Sequence, residues 1–409
     1  MNNKETDPIE KWLPKKQQKV KYNSDTYCDV FFNEIYTNPN GLYRFCCHAQ
    51  AHDHSENRMS THTHGPFEWF KSDYMEDVRT DILSGIRQRD CALCYKMEKT
   101  GGDSPRTRKH NLHNYTDIDK RQIKLNLSLS NACNLGCYMC GPENSTTRAK
   151  ELQTVFGKEH GYAQGITGLG FALKRKKYEK LKNDILENIH LVNSINLIGG
   201  EPMMIPEVWD LLDSIPEEHA KEIILCWITN MTKVGYKNYN LDDTIKKFGK
   251  THFNISCDHF GEKESWIRYP IDISSFENNL RKYKKHIAQI QVTVGILNGS
   301  DLLEIRDYYN KEFGLYVNFD NLVIGPEYLS IINYPQRHKE YLIDRYSNAK
   351  DPEDFKVMLE LMTTFNNSTT IATERARKYR EGIEYCQTLS DHRKFQFKDI
   401  WKDSIPWPK

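Results

Sequence analysis

The stretch Ile123-Lys-Leu-Asn-Leu-Ser-Leu-Ser-Asn-Ala-Cys133-Asn-Leu-Gly-Cys137-Tyr-Met-Cys140 decides how this chain folds. Ile123, Leu125, Leu127 and Leu129 alternate with polar residues, the period-2 signature of a strand. The strand runs directly into three cysteines spaced Cys-x3-Cys-x2-Cys. Asn134 and Gly136 let that loop turn, so three thiolates can wrap one compact soft-metal centre. A closed structural zinc site takes four protein ligands, whereas three cysteines leave a position open. An open position suits a four-iron four-sulfur cluster whose fourth iron binds something else. A zinc knuckle that borrows a distant Cys or His is the alternative.

Downstream, strands and helices alternate. Residues 194–198 read as a second strand stopped by Gly199-Gly200, 223–228 as a third and 252–256 as a fourth. Residues 290–297 and 317–324 supply a fifth and a sixth. Helical patterns lie between them: Val208, Leu211, Leu212 and Ile215 behind Pro206, then 242–248 and 302–313. Strands recurring every ~30–40 residues with helices between indicate a parallel α/β sheet. Such sheets bind ligands at the carboxyl ends of their strands. The polar and Gly-rich signals fall there: the cysteine triplet, Gly199-Gly200-Glu201-Pro202, Thr229-Asn230, Ser256-Cys257-Asp258 and Asn298. Five consecutive strand ends with such groups describe one site, which argues for an enzyme.

Composition narrows the remaining classes. The 409 residues carry 57 Lys+Arg against 56 Asp+Glu, so net charge makes no case for nucleic acid or an anionic membrane. The basic run Lys174-Arg175-Lys176-Lys177 reads as a solvated helix face. No apolar run approaches the ~20 residues of a membrane span, and residues 1–20 contain no apolar signal core. The expectation is a cytoplasmic protein, where clustered thiols mean metal or catalysis more often than disulfides.

Cys133-Asn-Leu-Gly-Cys137-Tyr-Met-Cys140-Gly-Pro142 resembles the cluster loop of the radical S-adenosylmethionine (radical SAM) enzymes. Gly199-Gly200-Glu201-Pro202 resembles that family's glycine-glycine-glutamate-proline motif, in its place after the second strand. Ser256-Cys-Asp258 resembles the ribose-binding segment at strand four, and Thr229-Asn230 fits the end of strand three. The resemblance covers about residues 120–330 and implies a partial TIM-like barrel of six β/α units. It implies that Cys133, Cys137 and Cys140 bind a four-iron cluster, with SAM chelating the remaining iron. One electron would cleave SAM to methionine and a 5′-deoxyadenosyl radical that abstracts a substrate hydrogen. The cofactor then does the difficult chemistry and the protein orients it. On this reading Glu201 pairs with the SAM ammonium, Gly199 and Gly200 allow close backbone approach, and Ser256 and Asp258 meet the ribose. The adenine lies near Val323, Ile324 and Gly325.

Five more cysteines precede the barrel. The spacing of Cys28 and Cys46 places both on a hairpin turned at Asn38-Pro39-Asn40-Gly41, and Cys91-Ala-Leu-Cys94 supplies a close pair. This resembles the twitch and SPASM auxiliary-cluster modules, although those usually follow the barrel and SPASM continues with further cysteines. One auxiliary four-iron cluster on Cys28, Cys46, Cys91 and Cys94 is the expectation, with a four-cysteine zinc site as the alternative. Cys47, next to Cys46, would face the other way on a strand. His48, His52, His54, His62 and His64 read as a polar loop. Cys226, Cys257 and Cys386 read as packing residues, and Arg268 as either a carboxylate anchor or a structural ion-pair partner.

The implied organisation is an N-terminal auxiliary module over 1–118, a radical SAM barrel over 119–330 and a helical extension over 331–409. The expected activity is an oxidoreductase acting on a peptide or protein side chain, served by a flavodoxin- or ferredoxin-type reductant. Two alternatives stand beside it: dehydrogenation of a carbohydrate or nucleotide-like molecule, and a non-catalytic iron–sulfur redox sensor. Neither a membrane nor nucleic acid is an expected partner.

Overall fold

A computed structural model describes residues 25–39, 41–49, 59–61, 63–99, 104, 106–107, 123–158, 175–364 and 369–407. Asn40, His52, His54, His62 and Lys174, singled out from the sequence, lie outside these residues. Eight described strands form one sheet: β1 Glu34–Thr37, β2 Tyr43–Arg44, β3 Ile123–Ser128, β4 Val192–Ile198, β5 Ile224–Thr229, β6 Lys250–Ser256, β7 Ile287–Val294 and β8 Val317–Leu322. Their order across the sheet is β8-β7-β6-β5-β4-β3-β1-β2. From β3 to β8 each strand is parallel to its sheet neighbour, the arrangement that the alternating pattern predicts. This is a partial TIM-like barrel.

Alternation along the strands gives the sheet two unlike faces. Leu125, Ile195, Leu225, Trp227, Phe253 and Ile255 are completely buried. They face the outer helices, where Trp227 meets Trp209 of the helix Pro206–Ser214 and Phe253 meets Tyr283 of the helix Ile273–Tyr283. The concave face carries the polar alternates of the same strands. The fifth strand stops at Val294, short of the expected Leu297, because Asn298 folds back to accept a hydrogen bond from Gly295 N–H.

The sequence pattern did not predict that the N-terminal segment joins this sheet. β1 pairs in parallel with β3, Tyr36 opposite Asn126, and β2 adds antiparallel to β1. The expected hairpin therefore exists, but Cys28 precedes it and leads into α1 (Val30–Asn33). The helix α2 (Pro66–Phe70) docks on α3 (Arg175–Glu187), where Asp184 accepts from Phe67 N–H at 2.6 Å. Lys180 pairs with Glu68 across the same contact. Among the described residues no helix is long and apolar enough to cross a membrane.

Candidate functional site

The cysteine loop is held at almost every backbone group. Gly136 N–H donates to Tyr269 O at 2.6 Å and Tyr138 N–H to Ile267 O at 3.0 Å. Ser145, the N-cap of α4 (Thr146–Phe156), donates from its hydroxyl to Leu135 O at 2.6 Å, and Thr147 Oγ1 donates to Cys133 O at 2.7 Å. Arg148 donates to Tyr138 O at 2.8 Å and Arg393 to Gly136 O at 2.5 Å. Both guanidiniums share the buried carboxylate of Glu151. Burial works to raise that carboxyl, and the two arginines outweigh it, holding it below the ordinary range. Gly136 lies tight against this group, since a Cβ there would stand 3.2 Å from Glu151 Oε2.

The sulfurs accept hydrogen bonds from the loop itself, from the end of β5 and from the residue capping the helix Gly261–Ile267. Leu135 N–H stands 3.5 Å from Cys133 Sγ, Asn230 Nδ2 3.9 Å from the same sulfur, and Arg268 Nη1 3.7 Å from Cys137 Sγ. Burial pushes the Cys133 thiol up to about 12, and raises Cys137 and Cys140 as well. Loading with iron must therefore release protons. Three soft donors around a turn lined with N–H groups fit a cluster of several irons, each taking one thiolate. Among the described residues no three His, Cys, Asp or Glu side chains are gathered closely enough for a single metal ion.

The two glycines and Glu201 lie against this loop. Gly200 N–H donates to Ser130 O at 3.1 Å and Glu201 N–H to Ala132 O at 2.7 Å, zipping the end of β4 to the segment after β3. Gly199 has φ +119°, and a Cβ on Gly200 would come within 2.3 Å of Ala132 O. The close approach that needs glycine is thus chain to chain. Glu201 is completely buried. Its carboxylate accepts from Thr229 Oγ1 (2.7 Å), Asn230 N–H (2.8 Å) and Met203 N–H (3.2 Å), and burial raises it to about 7. Glu201 thereby ties three strand ends together. Pro202 opens the turn that follows.

Asp258 is turned inward in the same way. Its Oδ1 accepts from Thr293 N–H at 2.7 Å and its Oδ2 lies 2.8 Å from Arg268 Nε. Glu264 stands on the other side of that guanidinium at 3.4 Å and accepts from Asp258 N–H and His259 N–H. Asp258, the expected ribose carboxylate, thus forms a buried ion pair with Arg268. Ser256 remains half-buried at the end of β6. Asn298 is fully enclosed, donating to Asp258 O and Thr293 O. Of the expected adenine wall, Val323 is buried and Ile324 is 67% exposed. A residue's side chain at a strand end can turn either way, which no spacing reveals.

A radical SAM superfamily profile matches residues 127–309, from the middle of β3 to the helix Leu302–Phe313. Those residues are a radical SAM domain. Two curated proteins named probable GTP 3′,8-cyclase are similar to the chain. The Archaeoglobus fulgidus protein is 22% identical over 46% of this chain and 55% of its own length. The Methanocaldococcus jannaschii protein is 26% identical over 34% and 37%. The chain thus spans about half or less of the length of the curated relatives it matches. Among solved structures, anSMEcpe with bound AdoMet and Kp18Cys peptide overlaps 58% of this chain and 62% of its own, at 17% identity and a TM-score of 0.39. A radical SAM domain implies a four-iron cluster and SAM.

The concave face of the radical SAM domain carries residues that the sequence reading passed over. Asn196 donates to Asn126 at 2.8 Å, and Asn126 donates to Glu34 of β1 at 3.2 Å. Asn254 donates to Cys226 Sγ at 3.5 Å, and Gln291 to Asn318 at 2.8 Å. Cys226 therefore sits on the polar face, where burial raises its thiol to about 11. Their signal was the polar half of each alternating strand, read only as the complement of the apolar half. Cys257 and Cys386 are completely buried, Cys257 against the Tyr309 hydroxyl.

The N-terminal cysteines approach one another from three short stretches of chain. Cys28 precedes α1 and Cys46 follows β2, while Cys91 ends a 3-10 turn and Cys94 lies in the helix Ala92–Lys99. Burial raises the Cys91 thiol, and Cys46, Cys28 and Cys94 raise it further by their proximity. Cys47 is exposed. Arg106 spans the group, donating to Tyr27 O at 2.9 Å and pairing with Glu98.

Proposed function

We propose that this chain is a radical SAM oxidoreductase that modifies a peptide or protein side chain. When bound, the cluster and SAM supply reductive carbon–sulfur cleavage and hydrogen-atom abstraction. The observation that carries the reading is convergence: the ends of β3, β4, β5 and β6 meet at Cys133, Cys137 and Cys140, with Asn230 and Arg268 donating to their sulfurs. The protein's own work is to hold three thiols at a rigid turn and keep the reacting volume lined by the concave face.

That face supports a neutral, amide-bearing substrate. Asn126, Asn196, Asn254, Gln289 and Gln291 each offer a donor and an acceptor, the pairing that peptide groups require. The lysines of β3 to β7 on that face, Lys124 and Lys250, stand at the strand starts, away from the cysteine loop. A triphosphate would need several cations at one place. Cys28, Cys46, Cys91 and Cys94 would hold an auxiliary four-iron cluster, with Cys46 preferred because it acts on Cys91. Clustered thiols of this kind belong to a reducing compartment such as the cytoplasm, where a flavodoxin- or ferredoxin-type protein would deliver the electron.

A nucleotide-like substrate is the second reading, favoured by the names of the two curated relatives. The test is anaerobic reconstitution with iron and sulfide, then SAM and dithionite with either GTP or a peptide library. Formation of 5′-deoxyadenosine is expected, rising with peptide. A rise with GTP alone would move the assignment to the second reading, and none under any condition would end both.

A further inference from the structure

The helix Thr369–Arg393 belongs to the segment in which the sequence shows no chemistry, yet its last residue reaches the cysteine loop. Arg393 is 4% exposed, and all three of its guanidinium nitrogens donate to buried groups. Its Nε and Nη2 donate to the two oxygens of Glu151 at 2.6 and 2.8 Å, Nη2 also donates to Gly136 O, and Nη1 donates to Trp266 O. Gly136 lies between Cys133 and Cys137, and Trp266 belongs to the helix Gly261–Ile267 that leads to Arg268. The same helix is anchored a turn earlier, where Ser390 accepts from Trp266 Nε1 and Tyr385 meets Arg148. Arg148, completely buried, takes the next carbonyl but one, Tyr138 O.

We infer that Arg393 is a positioning residue of the cluster site, and that the C-terminal helix sets the spacing of Cys133 and Cys137 by clamping the turn between them. The inference rests on the reading that these cysteines hold the iron–sulfur cluster. Two features make it more than packing. A guanidinium fork satisfies a carbonyl and a carboxylate at once, so the turn has one allowed position before any iron arrives. Arg148 and Arg393 also outnumber Glu151, leaving one cation under a loop that gains negative charge when its thiols ionise and again when the cluster is reduced.

Hydrogen exchange on the iron-free wild-type chain tests preorganisation directly. The amides of Gly136 and Tyr138 should be protected before reconstitution. Protection that arises only after iron is loaded would mean that the cluster shapes the loop, and would overturn the inference. After reconstitution, Arg393→Met should load the SAM-responsive cluster several-fold less than wild type, and what loads should show a lower midpoint potential by EPR titration. Arg393→Lys, which keeps the charge but not the fork, should load poorly with a potential near wild type. Wild-type loading and an unchanged EPR spectrum in a folded variant would also overturn it. A wild-type chain that takes up no SAM-responsive iron would instead refute the reading beneath it.

Discussion

The two groups of cysteines are built on opposite plans. Cys133, Cys137 and Cys140 share one loop whose carbonyls and N–H groups already have partners from Ser145, Thr147, Arg148, Tyr269 and Arg393. Cys28, Cys46, Cys91 and Cys94 come from three separate stretches, the first two beside a four-residue helix and a two-residue strand. Elements so short have little stability of their own, since a helix below ~12 residues is marginal in water. The first site is shaped by the fold through hydrogen bonds to its backbone. The second has no comparable frame of long elements, so a group bound by its cysteines would add rigidity there that the first site already has.

The largest effect that separates them is loss of the first group. Changing Cys133, Cys137 and Cys140 together to Ala should abolish 5′-deoxyadenosine formation and halve a wild-type content of about eight irons per chain. Thermal unfolding should barely change, because the loop backbone is held without the sulfurs. Next comes Cys91→Ala with Cys94→Ala. SAM cleavage should survive while substrate product is lost, and amide exchange should rise over residues 26–107 and not in the barrel. Product formed at the normal rate would remove any role for that group in turnover.

Arg148→Met asks how much of the first site's rigidity is electrostatic. Breaking a buried ion pair from one side costs about 3–5 kcal/mol, readable as a shift in the urea midpoint. A cost below about 1 kcal/mol would mean that the loop stands on packing alone. Glu201→Gln probes the strand ends behind it. Burial raises the folded carboxyl from 4.5 to about 7, so the folded state holds its proton more tightly than the unfolded chain. That contribution is complete below pH about 4.5 and is lost as pH rises through about 7. Wild type should therefore lose on the order of 3 kcal/mol relative to Glu201→Gln across that window. Parallel pH profiles would assign the titration elsewhere. The smallest effect, about 1 kcal/mol, is expected from Asn196→Ala, which cuts the chain Asn196–Asn126–Glu34 joining barrel and N-terminal strand. A larger cost, accompanied by exchange at β1, would show the two regions to be more tightly coupled than their separate plans suggest.

Much of the barrel was legible in the sequence because its signals are local. Period-2 alternation located β3, short apolar runs bounded by turn residues located the five parallel strands after it, and Pro206 marked the start of its helix. The cysteine spacing announced its chemistry for the same reason. What escaped was direction and distance. Glu201 and Asp258 stand at the expected strand ends, but whether a carboxylate turns toward a ligand or toward a neighbouring N–H is settled by tertiary packing. β1 is four residues long, too short to declare a pairing partner 90 positions away. Arg393 has no local pattern at all, since its partner carbonyl lies 257 residues earlier. The polar face was visible as every second residue of the strands, but hydrophobic periodicity directs attention to the other half.

That separation of 257 residues has a consequence for biosynthesis. At ~5–20 residues per second, the cysteine loop leaves the ribosome on the order of tens of seconds before Arg393 does. During that interval the thiols are present and Gly136 O has no guanidinium to receive it. A nascent chain can therefore expose reactive sulfur well before it owns the geometry to retain a cofactor. Cells that make this protein under oxygen would face their greatest risk of thiol damage on polysomes, before the finished chain has closed.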